Sequence, residues 1–315
     1  MKGLELSRAY YEKCGRPMLE SDFPALLPLL AIGFVGSGSE HYGFDDDLSR
    51  DHDFEPGFCL FLPGEEVVDR RTAFLLERAY AKLPDEFGGF RRQALSPVGG
   101  SRNGVIRTED FYQRAVDSPD GSLSMEQWLS IPDYALAEAV NGEIFSDPYG
   151  EFSYIRERLR RMPEDIRRKR LAGNLLLMAQ AGPYNYARCL GHGEPEAAQL
   201  ACTEFVNAAL KVLFLLRREY MPYYKWSFRA LRRLEGTSET ADLLSSLLVG
   251  DNRDPSVAGQ KAAAIESVSA RIIEELRTQG LTADVGQDLE RHAYAVNDKI
   301  TDSDVRNLHI LSAVG

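Results

Sequence analysis

The pattern of apolar residues changes near residue 150, and this change limits the folds that the chain can adopt. Before it, short apolar runs alternate with helical periodicities. After it, helical periodicity dominates, over 153–162, 163–190, 194–219, 225–235, 239–249, 256–278 and 283–297. A chain of 315 residues is long enough for about two domains. We therefore predict an α+β domain over residues 1–150, with a small mixed sheet and flanking helices, followed by an all-α helical bundle over 151–315.

Two compact apolar runs predict the central strands of the first domain. Ala31–Gly36 leads into Gly-Ser-Gly-Ser, and Phe58–Leu62 is closed by Pro63-Gly64. A short apolar run followed by glycine is typical of a buried strand that enters a tight loop. Residues 104–107 predict a third strand. Helices are predicted over 4–19 and 66–83, from about Glu109 and from the capping-box pattern Ser124–Gln127, and a loop over 84–102.

The composition argues against several classes of protein. The net charge is −11, from 48 acidic and 37 basic side chains, which disfavours non-specific binding to nucleic acid. The chain has no apolar run long enough to span a membrane, and its N-terminal residues lack the apolar run of a signal peptide. Its four cysteines lie far apart in the sequence, which fits reduced thiols in a cytoplasm. We expect a cytoplasmic protein with no membrane span.

The charged residues are distributed unevenly. Residues 45–55 contain six acidic side chains and one arginine, whereas residues 151–170 contain eight basic and four acidic ones. An acidic cluster facing a basic one suits a site for a metal ion and a nucleotide, but runs of charge are also common on solvated surfaces. We interpret the basic run, Arg156–Arg170, as a solvated helical face.

The segment that carries chemistry starts at the glycine turn. Gly36-Ser37 is followed, after thirteen residues, by Asp51-His52-Asp53 and then by the second apolar run. Glycine lets backbone N–H groups approach a phosphate closely. Residues i and i+2 of a strand point to one face, so Asp51 and Asp53 would project together. Paired carboxylates repel one another unless a cation lies between them, and such oxygen ligands suit Mg²⁺.

This arrangement resembles the nucleotidyltransferase superfamily, whose fold is that of polymerase β and of the kanamycin nucleotidyltransferases. The spacing is at the long end of that family's range, and His52 replaces a residue that is usually apolar. A closer resemblance is to the bacterial family called domain of unknown function 4037, in which a histidine between the aspartates is usual. The segments that carry it are Gly36–Ser39, Ser49–Phe54, Asn141–Asp147, Tyr184–Arg188 and Pro222–Trp226. The resemblance spans most of the chain and implies a small nucleotidyltransferase domain followed by a helical domain.

We predict two aspartates as the metal ligands and a glycine-rich loop as the phosphate site. Asp51 and Asp53 would hold the metal, and Gly36, Ser37, Gly38 and Ser39 would contact the triphosphate. Many members of the superfamily need a third carboxylate, as a metal ligand or as a base for the attacking hydroxyl. Glu109, just past the third predicted strand, is our candidate, with the start of a helix as its alternative role.

The remaining candidates would bind the nucleotide or the acceptor. Arg50, before the first aspartate, and Lys225, in an aromatic setting, could each hold a phosphate. Tyr184 and Arg188 lie one helical turn apart and share a face. Together with Tyr223 and Trp226, they are the predicted acceptor pocket, with packing in a helical core as the alternative.

The sequence therefore predicts a Mg²⁺-dependent nucleotidyltransferase. It would transfer a nucleoside monophosphate from ATP, or another nucleoside triphosphate (NTP), to a hydroxyl of a small molecule, with release of pyrophosphate. The first alternative is a nucleotide-binding regulatory protein without catalysis. The second is a nucleotidyltransferase that acts on a protein or an RNA, although the acidic net charge makes nucleic acid an improbable partner.

Overall fold

The computed structural model describes residues 1–46, 54–92 and 102–314. They form two compact units, and the chain passes between them more than once. The first unit contains Met1–Leu123 and Ala135–Arg161, and the second contains Ser124–Tyr134 and Met162–Gly315. A division into compact units does not show which parts of the chain fold on their own. The predicted domain boundary at residue 150 therefore stays a prediction.

The first unit combines a mixed sheet with helices. Its strands are β1 (Ala31–Phe34), β2 (Cys59–Leu62), β3 (Glu86–Phe87), β4 (Phe90–Arg91), β5 (Gly104–Arg107) and β6 (Glu143–Ser146). Its helices are α1 (Gly3–Tyr10), α2 (Arg16–Asp22), α3 (Arg70–Tyr80), α4 (Thr108–Val116) and α7 (Glu151–Arg160). Helix α6 (Asp133–Val140) begins in the second unit and ends in the first.

The main sheet has the strand order β5-β2-β1-β6, and β3 and β4 form a separate hairpin. β1 is antiparallel to both of its neighbours, whereas β2 and β5 are parallel. The registers pair Gly33 with Cys59 and Cys59 with Gly104. The end of β1 and the starts of β2 and β5 therefore lie at one edge of the sheet, which we call the Gly36 edge.

Both faces of the sheet are covered, which explains why β2 is a continuous apolar run. On one face, Leu60 and Leu62 pack in a core with residues of the N-terminal helices and α3, among them Tyr10 and Leu76. On the other face, Phe61 stacks on Phe152 of α7, with ring centroids 4.1 Å apart. All four residues of β2 are buried.

The second unit is helical. Its helices are α5 (Met125–Ser130), α8 (Glu164–Ala179), α9 (Ala187–Gly191), α10 (Pro195–Leu216), α11 (Tyr224–Leu231), α12 (Ser238–Leu248), α13 (Pro255–Thr278), α14 (Leu289–Asp298) and α15 (Ser303–Asn307). α8 and α10 supply much of the core. Within the described ranges, only α10 is long and apolar enough to cross a membrane, and 67% of its most apolar stretch is buried, as in a core helix of a soluble protein.

The α+β class with a small mixed sheet and a helical region is confirmed. β1, β2 and β5 were predicted, and so was the capping box of α5, in which Ser124 and Gln127 bond reciprocally. The hairpin of β3 and β4 lies where a loop was expected, and β6 was not predicted. The helix predicted over 163–190 is interrupted by the π-helical segment Gln180–Tyr186, which contains Pro183. Proline lacks an N–H donor, and the wider π turn accommodates it.

The interpretation of Arg156–Arg170 as a solvated face was wrong for half of its basic residues, although Arg158, Arg160 and Arg161 are exposed. Arg156, Arg167, Lys169 and Arg170 are all buried. Lys169 donates to the side-chain oxygen of Asn297 and to two backbone carbonyls. Each buried cation thus has fixed acceptors inside the protein, so the basic run does not form a continuous surface for RNA.

Gly142 connects α6 to β6 in a conformation that only glycine adopts easily. Its φ is +66°, and a Cβ placed there would lie 2.1 Å from the carbonyl oxygen of Phe34. Gly43 has a similar φ of +63°, but no atom lies within 4 Å of its potential Cβ. The two positions therefore separate the cost of backbone strain from the cost of a clash.

We expect Gly43→Ala to destabilise the fold by about 1–2 kcal/mol, the cost of a left-handed backbone. Gly142→Ala should cost roughly 1–3 kcal/mol more, because the backbone of β1 must shift. The free energy of unfolding in urea measures both. Equal losses for the two variants would show that β6 does not approach β1 as closely as described.

Arg170 and Asp133 form a buried ion pair in the second unit. The side chains are 4% and 10% exposed, and Arg170 also donates to the carbonyl oxygen of Ile131. The pair attaches the start of α6 to α8. Glu196 and Arg253 form a comparable pair, but both of its side chains are about two-thirds exposed.

We expect Asp133→Asn to cost about 3–5 kcal/mol, because it leaves the Arg170 guanidinium buried without its counter-charge. Glu196→Gln, which makes the same chemical change at an exposed pair, should cost about 0–1 kcal/mol. Urea denaturation of both variants measures the difference. Similar losses would mean that the burial of the Arg170 pair does not contribute to its strength.

Candidate functional site

The glycine loop that follows β1 has the tight geometry that the sequence predicts. Gly36 and Gly38 have φ values of +125° and +128°, a region that residues with a side chain rarely adopt. Ser37 is exposed and Ser39 is buried. The loop lies at the Gly36 edge of the sheet.

Asn141 holds this loop in place. The Gly36 N–H donates to Asn141 Oδ1 at 2.9 Å, and Asn141 Nδ2 donates to the carbonyl oxygen of Gly36 at 2.7 Å. The Gly36 N–H, predicted to contact phosphate, is therefore already bonded within the protein. Sequence analysis missed this role of Asn141, although the Asn-Gly dipeptide at 141–142 marked a turn.

Arg156 of α7 supports the Asn141 turn. Its Nη2 donates to the carbonyl oxygens of Val140, Asn141 and Gly142, at 2.9, 2.6 and 2.9 Å. These carbonyls belong to the last residue of α6 and the two residues after it, where no partner within the helix is available. Burial lowers the pKa of Arg156 to about 10, so the guanidinium remains protonated at neutral pH.

A cavity of about 220 Å³ opens beside the loop. Its apolar wall contains Val35, Ile106, Phe111 and Ala115, and its polar wall contains Ser37, His41, Cys59, Arg102, Arg114 and Glu138. Two arginines and one glutamate are among these residues, and arginine is a residue type that binds phosphate and other anionic groups. The Arg102 guanidinium also lies 3.8 Å from a carboxylate oxygen of Glu40.

His41 is the most perturbed titratable group at this cavity. Its ring is buried and stacks on Phe34, with centroids 4.1 Å apart. Burial, and secondarily the nearby Arg102, lower the pKa of His41 to about 3. The imidazole is therefore neutral at physiological pH.

The predicted metal ligands, Asp51 and Asp53, lie outside the described residues, as does Arg50. Among the residues that the structure describes, no three His, Cys, Asp or Glu side chains come together to hold a metal. A Mg²⁺ site would therefore depend on the hard carboxylate oxygens of the two aspartates, a donor type that this ion prefers.

Glu109 is not at the cavity. It lies exposed in the first turn of α4, directly after β5. Because β5 is parallel to β2 and starts at the Gly36 edge, it ends at the opposite edge, ~10 Å further on. Glu109 is an acidic residue of the first turn of α4, whose N-cap is Arg107. Its role as a third carboxylate stays a prediction.

The predicted acceptor residues and Lys225 lie in the second unit, in two groups. Tyr184 and Arg188 are exposed and in contact, with the guanidinium 5.0 Å from the ring centroid. Tyr223 packs against two exposed tyrosines, Tyr224 at 4.5 Å and Tyr134 at 5.9 Å between centroids. Lys225 is exposed and Trp226 is half-buried, with the Arg229 guanidinium 5.1 Å from its ring centroid.

The buried His41 generates a prediction about pH. The unfolded chain takes up a proton near pH 6.5 and the folded chain near pH 3, so folding stability should fall as the pH drops below 6.5. The loss is about 1.4 kcal/mol per pH unit, or ~2 kcal/mol at pH 5. Urea unfolding of wild type and His41→Gln between pH 5 and 8 measures it as the difference between the two.

His192→Gln provides the control, because His192 is exposed. That variant should follow the pH dependence of wild type. A His41→Gln variant with the same pH dependence as wild type would show that the buried imidazole titrates normally and would contradict the prediction.

Comparison with known proteins agrees with the resemblance at the level of one family. No curated protein matches the chain. Residues 128–227 match the family model described as "Domain of unknown function (DUF4037)". The matched stretch includes Glu138, Asn141 and Arg156 at the cavity and its supporting turn, and Lys225 in the second unit. The wider resemblance to nucleotidyltransferases stays a prediction, and the match shows that residues 128–227 are similar to the DUF4037 family.

Proposed function

We propose that the protein is a Mg²⁺-dependent nucleotidyltransferase that moves a nucleoside monophosphate from ATP, or another NTP, to a hydroxyl of a small molecule. The observation that carries the proposal is the glycine loop beside a cavity at the Gly36 edge. The chain enters β2 at this same edge, a few residues after Asp51-His52-Asp53. A phosphate-binding turn and a carboxylate pair are thus expected on neighbouring strands.

The role proposed for each residue follows from its chemistry. Asp51 and Asp53 would hold Mg²⁺, which when bound neutralises phosphate charge and orients the triphosphate. Ser37, Gly38 and Ser39 would supply backbone N–H groups to phosphate oxygens, whereas Gly36 orients the loop through Asn141. Positioning of this kind is the main source of rate in phosphoryl transfer.

The cavity supports a small acceptor rather than a macromolecule. A volume of about 220 Å³ is below the usual range of ligand pockets, ~300–1,000 Å³, so only part of a ligand would enter. Its wall has both apolar and charged sides, as expected for a compact polar molecule. The burial of Arg156, Arg167, Lys169 and Arg170 also disfavours an RNA substrate.

A nucleotide-binding protein without transferase activity is the second candidate. Two observations favour it: the Gly36 N–H is bonded to Asn141, and Glu109 does not line the cavity. Such a protein would bind an NTP and release no pyrophosphate. Its role would be regulatory.

Binding is tested by thermal and chemical unfolding with each NTP, with and without Mg²⁺. We expect stabilisation that requires both, of about 2.7 kcal/mol when the NTP is at 100 times its Kd. Asp51→Asn and Asp53→Asn should abolish it, because each removes a charged metal ligand. Asp22→Asn, which makes the same change at an exposed residue of α2, should keep it.

Pyrophosphate release then separates the two candidates. Release in the presence of a panel of small hydroxyl compounds, lost in Asp51→Asn, supports the transferase. Mg²⁺-dependent binding with no release under any condition supports the regulatory protein. No stabilisation by any NTP, or equal stabilisation of wild type and Asp51→Asn, would reject the proposed site.

A further inference from the structure

A transfer to a hydroxyl requires a group that accepts its proton. In the part of the chain that the structure describes, Glu138 is the only carboxylate that lines the cavity beside the glycine loop. Glu109, predicted for this role, is exposed at the far edge of the sheet. The Glu40 carboxylate lies near the loop, where Ser39 and Arg102 contact it, but it does not line the cavity. Glu138 is therefore the described carboxylate that a ligand in the cavity would meet.

The position of Glu138 is set by the same helix that holds the loop. It lies in α6, three residues before Asn141, whose side chain bonds to Gly36. Asn141 directly follows Val140, the last residue of α6. The same helix therefore positions both Glu138 and the turn that holds the loop.

The surroundings of Glu138 act on the pKa of its carboxyl group in two directions. Burial raises the pKa of Glu138, and the Arg102 guanidinium opposes this rise. Tyr42, on the turn after the loop, also faces Glu138, and Arg114 and His41 share the cavity wall. A carboxylate that titrates closer to neutrality accepts a proton more effectively than an ordinary one.

The other titratable groups of the cavity are poorly suited to this role. The pKa of His41 is lowered to about 3, so its imidazole is a weak base. Burial raises the pKa of Cys59 to about 12, and its thiol donates to the carbonyl oxygen of Arg102. The two arginines are cations and have no lone pair to accept a proton.

We propose that Glu138 is the general base that accepts the proton of the acceptor hydroxyl, an inference that rests on the proposed transferase function. The hydroxyl oxygen forms a bond to the α-phosphorus. The bond from that phosphorus to the oxygen that bridges to the β-phosphate breaks, and its electron pair leaves with pyrophosphate. The hydroxyl proton passes to a carboxylate oxygen of Glu138 and then to solvent.

The test compares wild type with Glu138→Gln and Glu138→Asp. The probe is ATP with Mg²⁺, with water or a hydroxyl compound of the panel as acceptor, followed by pyrophosphate release. We expect Glu138→Gln to lower kcat by about 100-fold or more. The KM for ATP should stay within about 3-fold of wild type, because the base acts on the acceptor rather than on the nucleotide. The stabilisation by Mg²⁺ and ATP should be unchanged.

Glu151→Gln is the matched control. Glu151 belongs to the same unit and burial also raises its pKa, but it does not line the cavity. Its kcat should equal that of wild type. In wild type, kcat should fall as the pH drops below the raised pKa of Glu138, and Glu138→Asp should retain a measurable rate with this acid limb displaced.

A stability measurement provides a readout independent of turnover. A buried carboxylate with a raised pKa destabilises the fold when it is ionised, above that pKa. Glu138→Gln should therefore be more stable than wild type at neutral pH. The gain should disappear as the pH falls below the ordinary value of 4.5. A variant without this gain would show that Glu138 is not confined as described and would count against its role.

The outcomes distinguish this inference from the proposed function. If wild type releases pyrophosphate and Glu138→Gln does so at a similar rate, the base assignment is overturned while the transferase stands. A large loss in Glu109→Gln with none in Glu138→Gln would also overturn it and return the role to Glu109. If wild type binds ATP without releasing pyrophosphate, the transferase fails, and the assignment of a base fails with it.

Discussion

The contact between the Arg156 guanidinium and three consecutive carbonyl oxygens is the interaction on which the site depends. The carbonyls at the end of α6 lack helical partners, and the cation satisfies those of Val140, Asn141 and Gly142 together. The turn is thereby fixed without the use of the Asn141 side chain. That side chain can then bond both the N–H and the carbonyl oxygen of Gly36.

A loop held in this way is organised before any ligand binds. A loop that must order itself on binding loses affinity to the entropy of ordering, and the Asn141 contact would avoid that loss for a ligand of this loop. The cost is one N–H donor, because the Gly36 amide no longer points to a ligand. Under the proposed function, phosphate would then be bound by Ser37–Ser39, by the arginines of the cavity wall and by any metal that the aspartates hold.

Sequence reasoning predicted the elements whose signals are local. β1 and β2 are buried on both faces, so they appear as continuous apolar runs, and the capping box of α5 depends on two residues three apart. β6 and the hairpin of β3 and β4 are short and only partly buried, so they lack a distinct apolar pattern. The prediction that the basic run is solvated failed for another reason. A buried arginine differs from a solvated one only in partners that lie far away in the sequence, such as the carbonyls of 140–142 or Asp133.

The same distinction explains why the predicted third carboxylate lies away from the cavity. A residue next to a strand in sequence reaches the site only if that end of the strand lies at the right edge, and pairing direction decides this. β5 runs parallel to β2, so it starts at the Gly36 edge and ends at the opposite edge, directly before Glu109. Ile106 of β5 and Phe111 of α4 line the cavity, but Glu109 does not. The described carboxylate at the cavity comes instead from α6, through the turn that holds Gly36. A site assembled from a loop, a strand edge and a helix end has no contiguous signature, and only the fold brings Glu138 to the glycine loop.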